Sequence, residues 1–509
     1  MQFHYTESVD IRDISCQPLE HIGAEVASAA REGWRMIVFC GLQDHDDMHH
    51  DLSLLCLMAH DGTGDIRAWR STMLAPDASY PSFTPATPQA HWFEREIFEQ
   101  WHITPAGHPW LKPLRFCPPL YDVHGQRPLP GDTQYFTVKG PQVHEVAVGP
   151  VHAGVIEPGH FRFQCYGEEV MHLEISLGFQ HRGIERALLH GPDARSAHFM
   201  ECLCGDTSIG HSTAYAALLE TLHGTAATER AQSLRRLMLE LERLACHTGD
   251  LGAIAGDTGF LPTSAWCGRI RGDWLNTTAM ICGNRFGRGM VCPGGVLHDV
   301  DAALLDSLRA RVDVVYRDMR GAVDAMFAAP SVLDRMQNTG IVSRQTAQDM
   351  GIIGMAARAS GVPMDARFNY PLNNFREIRA RLRTQTVGDV SARALQRSQE
   401  ADDAATIVRA ELELLDALDA QPCRLPDFPL TSPAPLPPHR LAVALCEGWR
   451  GTVCHAAVTD ANGRFALYKP VDPSFHNWIG LALALRGEQI SDFPLCNKSF
   501  NLSYCGHDL

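Results

Sequence analysis

Residues able to carry protons crowd the stretch from Gly149 to Glu185. Gly149-Pro-Val-His-Ala-Gly-Val-Ile-Glu-Pro-Gly-His-Phe-Arg-Phe163 reads as a strand, a bent loop and a second strand. The loop carries one carboxylate, Glu157, and two imidazoles, His152 and His160. His181-Arg-Gly-Ile-Glu185 then delivers an imidazole, a guanidinium and a second carboxylate together. Titratable groups on bends beside apolar strands suit a water-poor chamber for acid–base chemistry. A surface hairpin with solvated charges fits the same spacing.

Thiols are the other candidate chemistry. The 16 cysteines are scattered, several lie in apolar runs (Cys40, Cys56, Cys446), and no two are spaced Cys-x-x-Cys. Such usage points to buried reduced thiols rather than a disulfide framework. Asp44-His-Asp-Asp-Met-His-His-Asp51 crowds metal-binding side chains, but nothing in the spacing fixes a geometry, and a solvated loop between strands is the simpler reading.

The elements that must position these groups imply an α+β protein. A chain of 509 residues exceeds one ordinary core, so two or more domains are expected. Residues 1–118 read as a small α+β domain. It has a helix from Pro18 to Glu32 and strands at Arg35–Cys40, Leu52–Leu57 and Ile66–Arg70, with a hairpin turn at Asp61-Gly-Thr-Gly64. Ala90 to Trp110 reads as an amphipathic helix stopped by a proline/glycine loop. Residues 119–140 are proline-rich and suit a linker. Residues 141–509 form the larger domain, with a small sheet at its start and then mainly helix, including Thr213–Leu222, Ala226–Thr248, Asp299–Ala329 and Ala392–Leu418.

A formal charge of −15, with no basic stripe, excludes nucleic acid as the main partner. No apolar run approaches the ~18 residues needed to cross a bilayer. The amino terminus has no basic-then-apolar signal, so a cytoplasmic chain, attached to a membrane through partners, is expected.

Several segments resemble one family, the large subunit of membrane-bound, energy-converting (group 4) nickel–iron hydrogenases, which is related to the 49-kDa subunit of complex I. They are the Gly149–Glu185 run, Arg288…Pro293-Gly-Gly-Val296, Arg358-Ala-Ser-Gly…Asp365-Ala-Arg367 and Glu447-Gly-Trp-Arg-Gly451. The aromatic helix with Glu94-Arg-Glu96 leading to Gly107-His-Pro109 is similar to the complex I 30-kDa subunit. Fusion of the two is typical of that hydrogenase group.

The resemblance implies a metal centre held by two Cys-x-x-Cys pairs, since soft thiolates hold nickel and iron in reactive states. Counting back from His211, Cys204 stands at the first ligand position and Thr207 at the second, while Ser503 and Gly506 stand at the last two. Cys202 is an extra thiol upstream, and Cys505 is out of register by one. One ligand position of four keeps its cysteine, so no nickel–iron centre and no other cofactor is expected on this chain. Glu157 matches the family's proton-passing carboxylate and Arg450 the arginine above the metal. His152 follows Gly149-Pro150 as in the quinone loop of complex I, whose second histidine is absent here. The implied catalytic set is Glu157, His152, His181, Arg182, Cys204, His211 and Arg450.

The expected function is that of an oxidoreductase subunit in a membrane-associated complex that couples electron transfer to proton or ion translocation. Its partners would be a small (20-kDa-type) iron–sulfur subunit, a ferredoxin-like subunit, and antiporter-like and anchor subunits in the membrane. The alternatives are a catalytically silent scaffold and a quinone-reducing complex I-type subunit.

Overall fold

The computed structural model describes residues 1–43, 52–75, 77–120, 134–152, 156–371, 381–426, 428 and 435–509. The Asp44–Asp51 cluster and most of the 119–140 linker therefore lie outside the described residues.

The chain begins with β1 (Gln2–His4), β2 (Val9–Asp10) and β3 (Cys16–Gln17), followed by α1 (Leu19–Arg31). Leu19, Ile22, Val26 and Ala29 put one apolar stripe of α1 inward. β4 (Arg35–Gln43), β5 (Leu52–His60) and β6 (Asp65–Ser71) follow as an antiparallel meander. β1 pairs with β6, and β3 joins β6 in parallel.

Helix α2 (His91–Trp101) buries its charges as well as its apolar residues. Each charge has a specific partner. The Glu94 carboxylate accepts from the backbone N–H groups of Phe83 (2.8 Å) and Thr84 (3.1 Å). Arg95 donates to the carbonyls of Lys112 and Pro113, and Glu99 accepts from the N–H groups of Leu114 and Arg115. The Glu-Arg-Glu signature is thus a set of staples holding the surrounding loops onto one helix.

The second sheet is β7 (Val143–Val148), β8 (His160–Tyr166) and β9 (Glu169–Ser176), antiparallel with β8 in the middle. Of the strand–loop–strand expected at Gly149–Phe163, the second strand is β8, whereas the first, β7, already ends at Val148; residues 153–155 lie outside the described part. Helices then dominate: α3 (Ser196–Leu203), α4 (Ser208–His223), α5 (Glu229–Asp257), α6 (Leu261–Cys282), α7 (Ala302–Phe327) and α8 (Val390–Ala417). Their starts are capped as the sequence allows: Thr228 accepts from Ala231 N–H, Asp301 from Leu304 N–H and Asp389 from Ala392 N–H. Gly224, at φ 65°, ends α4 in the left-handed conformation that glycine tolerates.

The chain closes with β10 (Arg440–Glu447), β11 (Thr452–Thr459) and β12 (Phe465–Val471), then α9 (Pro473–Ala484), α10 (Phe493–Phe500) and α11 (Tyr504–Asp508). This third sheet was not anticipated. Its fourth strand is β2 from the amino-terminal segment, with Val9 opposite Leu441 and Asp10 opposite Arg440. One apolar cluster runs from Phe3 to Tyr504, so the two sequence units share a core. The α+β class holds.

Candidate functional site

The site forms where the turn after α3, the β10–β11 turn and the start of α11 converge. Cys204 ends α3, and its Sγ lies 3.1 Å from Ser503 Oγ and 3.2 Å from Asp206 Oδ1. Ser503 is the cap of α11: its hydroxyl accepts from Gly506 N–H at 2.9 Å and lies 3.4 Å from Cys505 Sγ. Both sulfurs therefore touch one hydroxyl. The Arg450 guanidinium reaches in from the β10–β11 turn, 3.3 Å from Cys204 Sγ, and forms a two-pronged pair with Asp206 at 2.6 and 3.0 Å. The Trp449 ring lies 3.8 Å from the guanidinium, and the Asn501 carbonyl accepts from its Nε. Thr207 Oγ1 is 3.4 Å from the same guanidinium.

The electrostatics follow from this packing. Cys505 is pulled down to about 5, first by the Cys204 hydrogen bond and further by Ser503, the Gly205 N–H and Glu157, against the cost of burial. The Cys204 thiol moves the opposite way, well above its ordinary value, through that same bond and through burial. Burial, together with the neighbouring Cys505 charge, pushes Glu157 up to about 7. Glu157 and Cys505 act on one another: the sulfur helps to raise the carboxyl, and the carboxyl helps to lower the sulfur.

Beneath the thiols, His211 on α4 bonds Asp472 through Nε2 at 3.1 Å and His455 through Nδ1 at 3.0 Å. His455 in turn meets the Tyr468 hydroxyl at 2.7 Å. The His211 ring and Arg450 hold Asp472 below the usual carboxylate range in spite of its burial. Asp472 as acceptor fixes the order, with each ring donating toward the carboxylate and accepting from the next group out. Asp472 also caps α9 by accepting from Ser474 N–H at 2.8 Å.

The four family ligand positions do converge, as one thiol, two hydroxyls and a glycine. That donor set does not fit a two-metal thiolate centre. Space argues the same way: a Cβ on Gly506 would lie 2.7 Å from Asp472 Cγ. Gly506→Cys, made to restore a ligand, is expected instead to destabilise the fold by about 1–3 kcal/mol through overpacking. A lower melting temperature with no gain of bound nickel is the outcome to look for.

The other sequence candidates stand elsewhere in the site's frame. His181 Nδ1 pairs with the Asp508 carbonyl at 2.8 Å. Arg182 spans the carbonyls of Cys202, Leu203 and Cys505 at 2.5, 2.9 and 3.2 Å. Both therefore grip the terminal segment and position Cys505 rather than face the thiols. His152 Nε2 lies 3.1 Å from the Gly159 carbonyl and braces its own loop. Cys202 is exposed on α3. Glu185 joins Lys469 at 2.5 Å, and Lys469 also binds Glu96 of α2, tying the amino-terminal unit to the sheet beside the site.

Asp206, Asp472, His455 and Tyr468 were not anticipated. Asp472-Pro473 carries the local signal of a helix cap followed by a first-turn proline, which would have placed it at a helix start. The family-like segments around Arg358, Asp365 and Glu447 form a buried ion network behind the site. Arg358 pairs with Glu400 at 2.8 Å and Glu447 at 2.7 Å, and Arg367 pairs with Asp365 and Glu240.

Comparison with known proteins bears on this architecture. Residues 257–508 match the family described as respiratory-chain NADH dehydrogenase, 49 Kd subunit, and residues 22–135 match its 30 Kd counterpart. Segments like both subunit types are thus fused in one chain. Among curated relatives, formate hydrogenlyase subunit 5 of Escherichia coli (strain K12) is 28% identical over 491 residues, covering 93% of this chain and 84% of the relative. Hydrogenase-4 component G of the same organism is 27% identical over 504 residues, with 93% and 83% covered. NADH-quinone oxidoreductase subunit 4 of Thermus thermophilus is 27% identical over 376 residues, covering 69% of this chain and 90% of the relative. The fused 30-kDa/49-kDa chain is thus like the large subunits of group 4 hydrogenases. Among its described residues no helix is long and apolar enough to cross a membrane.

Proposed function

We propose that this chain is the large subunit of a membrane-associated oxidoreductase complex, related to energy-converting hydrogenases, that couples electron transfer to proton or ion movement without a nickel–iron centre. Likeness over 93% of the chain to hydrogenase-4 and formate hydrogenlyase subunits supports the setting. The observation that carries the reading is the cluster of ionisable groups itself. Glu157 stands ready to pass protons at near-neutral pH beside a thiol pair, with Arg450 above, where the family keeps its metal. A small iron–sulfur subunit of the 20-kDa type would deliver electrons to this site, supplied by a ferredoxin-like subunit. Antiporter-like and anchor subunits would hold the assembly on the cytoplasmic face of the membrane.

The natively purified complex is expected to contain iron and labile sulfide, from its partners, but no stoichiometric nickel. Elemental analysis beside a dye-linked electron-transfer assay checks this, and one nickel per chain overturns it.

A silent scaffold is the second reading. It is favoured by the saturation of Arg450, whose guanidinium is engaged by Asp206, Asn501 and Thr207. A complex that assembles with its partners yet passes no electrons through this subunit would establish it.

A further inference from the structure

We propose that Cys505 and Cys204 form a reversible dithiol/disulfide pair that reduces a small disulfide substrate. The inference deepens the function proposed above and relies on it for the source of electrons.

The two sulfurs differ as an attacking and a resolving thiol must. Cys505 is partly exposed on α11, whereas Cys204 is buried at the end of α3. They share the Ser503 hydroxyl, at 3.4 and 3.1 Å. The thiolate is the nucleophile in disulfide exchange, and it must be reachable. Cys505, the more exposed sulfur, is placed to attack, and the buried Cys204 to resolve. Glu157 adds a proton store next to Cys505. Cys40 and Cys56, on the paired central strands β4 and β5, are both buried, and burial is the largest of the causes that push them above their ordinary value.

The chemistry balances. The Cys505 thiolate attacks one sulfur of an incoming disulfide, whose sulfur–sulfur bond breaks as a mixed disulfide forms. The first thiolate leaves and takes the Glu157 proton. Cys204 then attacks the Cys505 sulfur, and its own proton passes by way of the Ser503 hydroxyl to the second departing thiolate. One external disulfide and two protein thiols become two external thiols and one protein disulfide. Two electrons and two protons restore the pair, the electrons arriving one at a time from an iron–sulfur carrier of the complex.

The test uses the purified native complex, reduced with dithiothreitol, desalted, and exposed to oxidised glutathione. Remaining thiols are then alkylated with N-ethylmaleimide, and the peptides are mapped by mass. The expected result is a peptide linking residues 204 and 505, with both cysteines losing label together while Cys40 and Cys56 behave as in the untreated complex. In Cys204→Ser the resolving step is gone, so the glutathione adduct on Cys505 should rise about tenfold over the native complex. Absence of the linked peptide, or equal adduct in the native and Cys204→Ser complexes, overturns the proposal. If Cys204→Ser does not assemble, the native linked peptide decides alone. The mapping needs no turnover, so its failure leaves the electron-transfer reading standing, whereas nickel in the complex defeats that reading directly.

Discussion

A complex carrying Glu157→Gln assembles in normal amounts but loses turnover by about a hundredfold or more, the range removed with a proton-transfer group. Gln keeps the shape and the hydrogen-bonding capacity of the side chain and cannot titrate. The native carboxyl, raised to about 7 by burial and by Cys505, exchanges its proton in the working range. The same shift makes a stability prediction with a definite sign. The unfolded chain releases this proton near its ordinary value of 4.5, whereas the folded chain holds it to about 7. Between those values stability falls as pH rises, because only the unfolded state has ionised. Gln escapes that loss. The variant should therefore match the native protein below pH 4.5 and melt at a higher temperature above pH 7. Thermal scans across pH, with turnover measured at matched subunit content, check both. Near-normal turnover in the variant would reduce Glu157 to a loop anchor and remove the main reason for calling the site active.

The largest structural penalty is expected at Arg358. It is 1% exposed and bonds Glu400, Glu447 and the Met364 carbonyl. Arg358→Met fills much of the space but removes a guanidinium shared by the buried carboxylates of Glu400, Glu447 and Asp365, and breaking a buried pair from one side costs about 3–5 kcal/mol. Protonation neutralises stranded carboxylates, so the deficit should shrink as pH falls. Adding Glu447→Gln should recover part of the loss, because one of the carboxylates that lost the guanidinium is then neutral. Denaturant melts of the single and double variants at two pH values measure this. A double variant no more stable than the single would mean that the loss comes from packing rather than charge.

Much of the fold was legible, for identifiable reasons. Helix α1 shows regular apolar spacing, the long helices α5 and α7 sustain it over many turns, and strands β4 to β6 stand out as short apolar runs around the Asp61-Gly-Thr-Gly64 turn. Strands β10 and β11 escaped notice because they are buried on both faces. Leu441-Ala-Val-Ala-Leu-Cys446 shows no alternation, so periodicity cannot distinguish it from a buried helix segment. The pairing of β2 with β10 leaves no local trace at all. Within the site, the positions of Cys204, Thr207, Ser503 and Gly506 came from family register and do converge. Asp206 and Asp472 did not come that way, since their partners Arg450 and His211 are remote in sequence. Cys505 looked misplaced by one residue, and only the geometry of α11 brings its sulfur beside Ser503.

The short strand β2 has a consequence for how the molecule is made. Ser8, next to it, is held by Arg440, 432 positions later in the chain. A ribosome must therefore finish nearly the whole polypeptide before the amino-terminal sheet region meets its last partner. Pairings so distant in sequence slow folding, because loop closure must be met before the contact rewards it. Joining the two subunit types in one chain eases the difficulty. The meeting becomes intramolecular, at an effective concentration of about millimolar for a short tether, and the two halves are produced in equal number. Expressed as separate pieces, they would have to find each other by diffusion, each with an uncovered strand edge on offer to any passing chain.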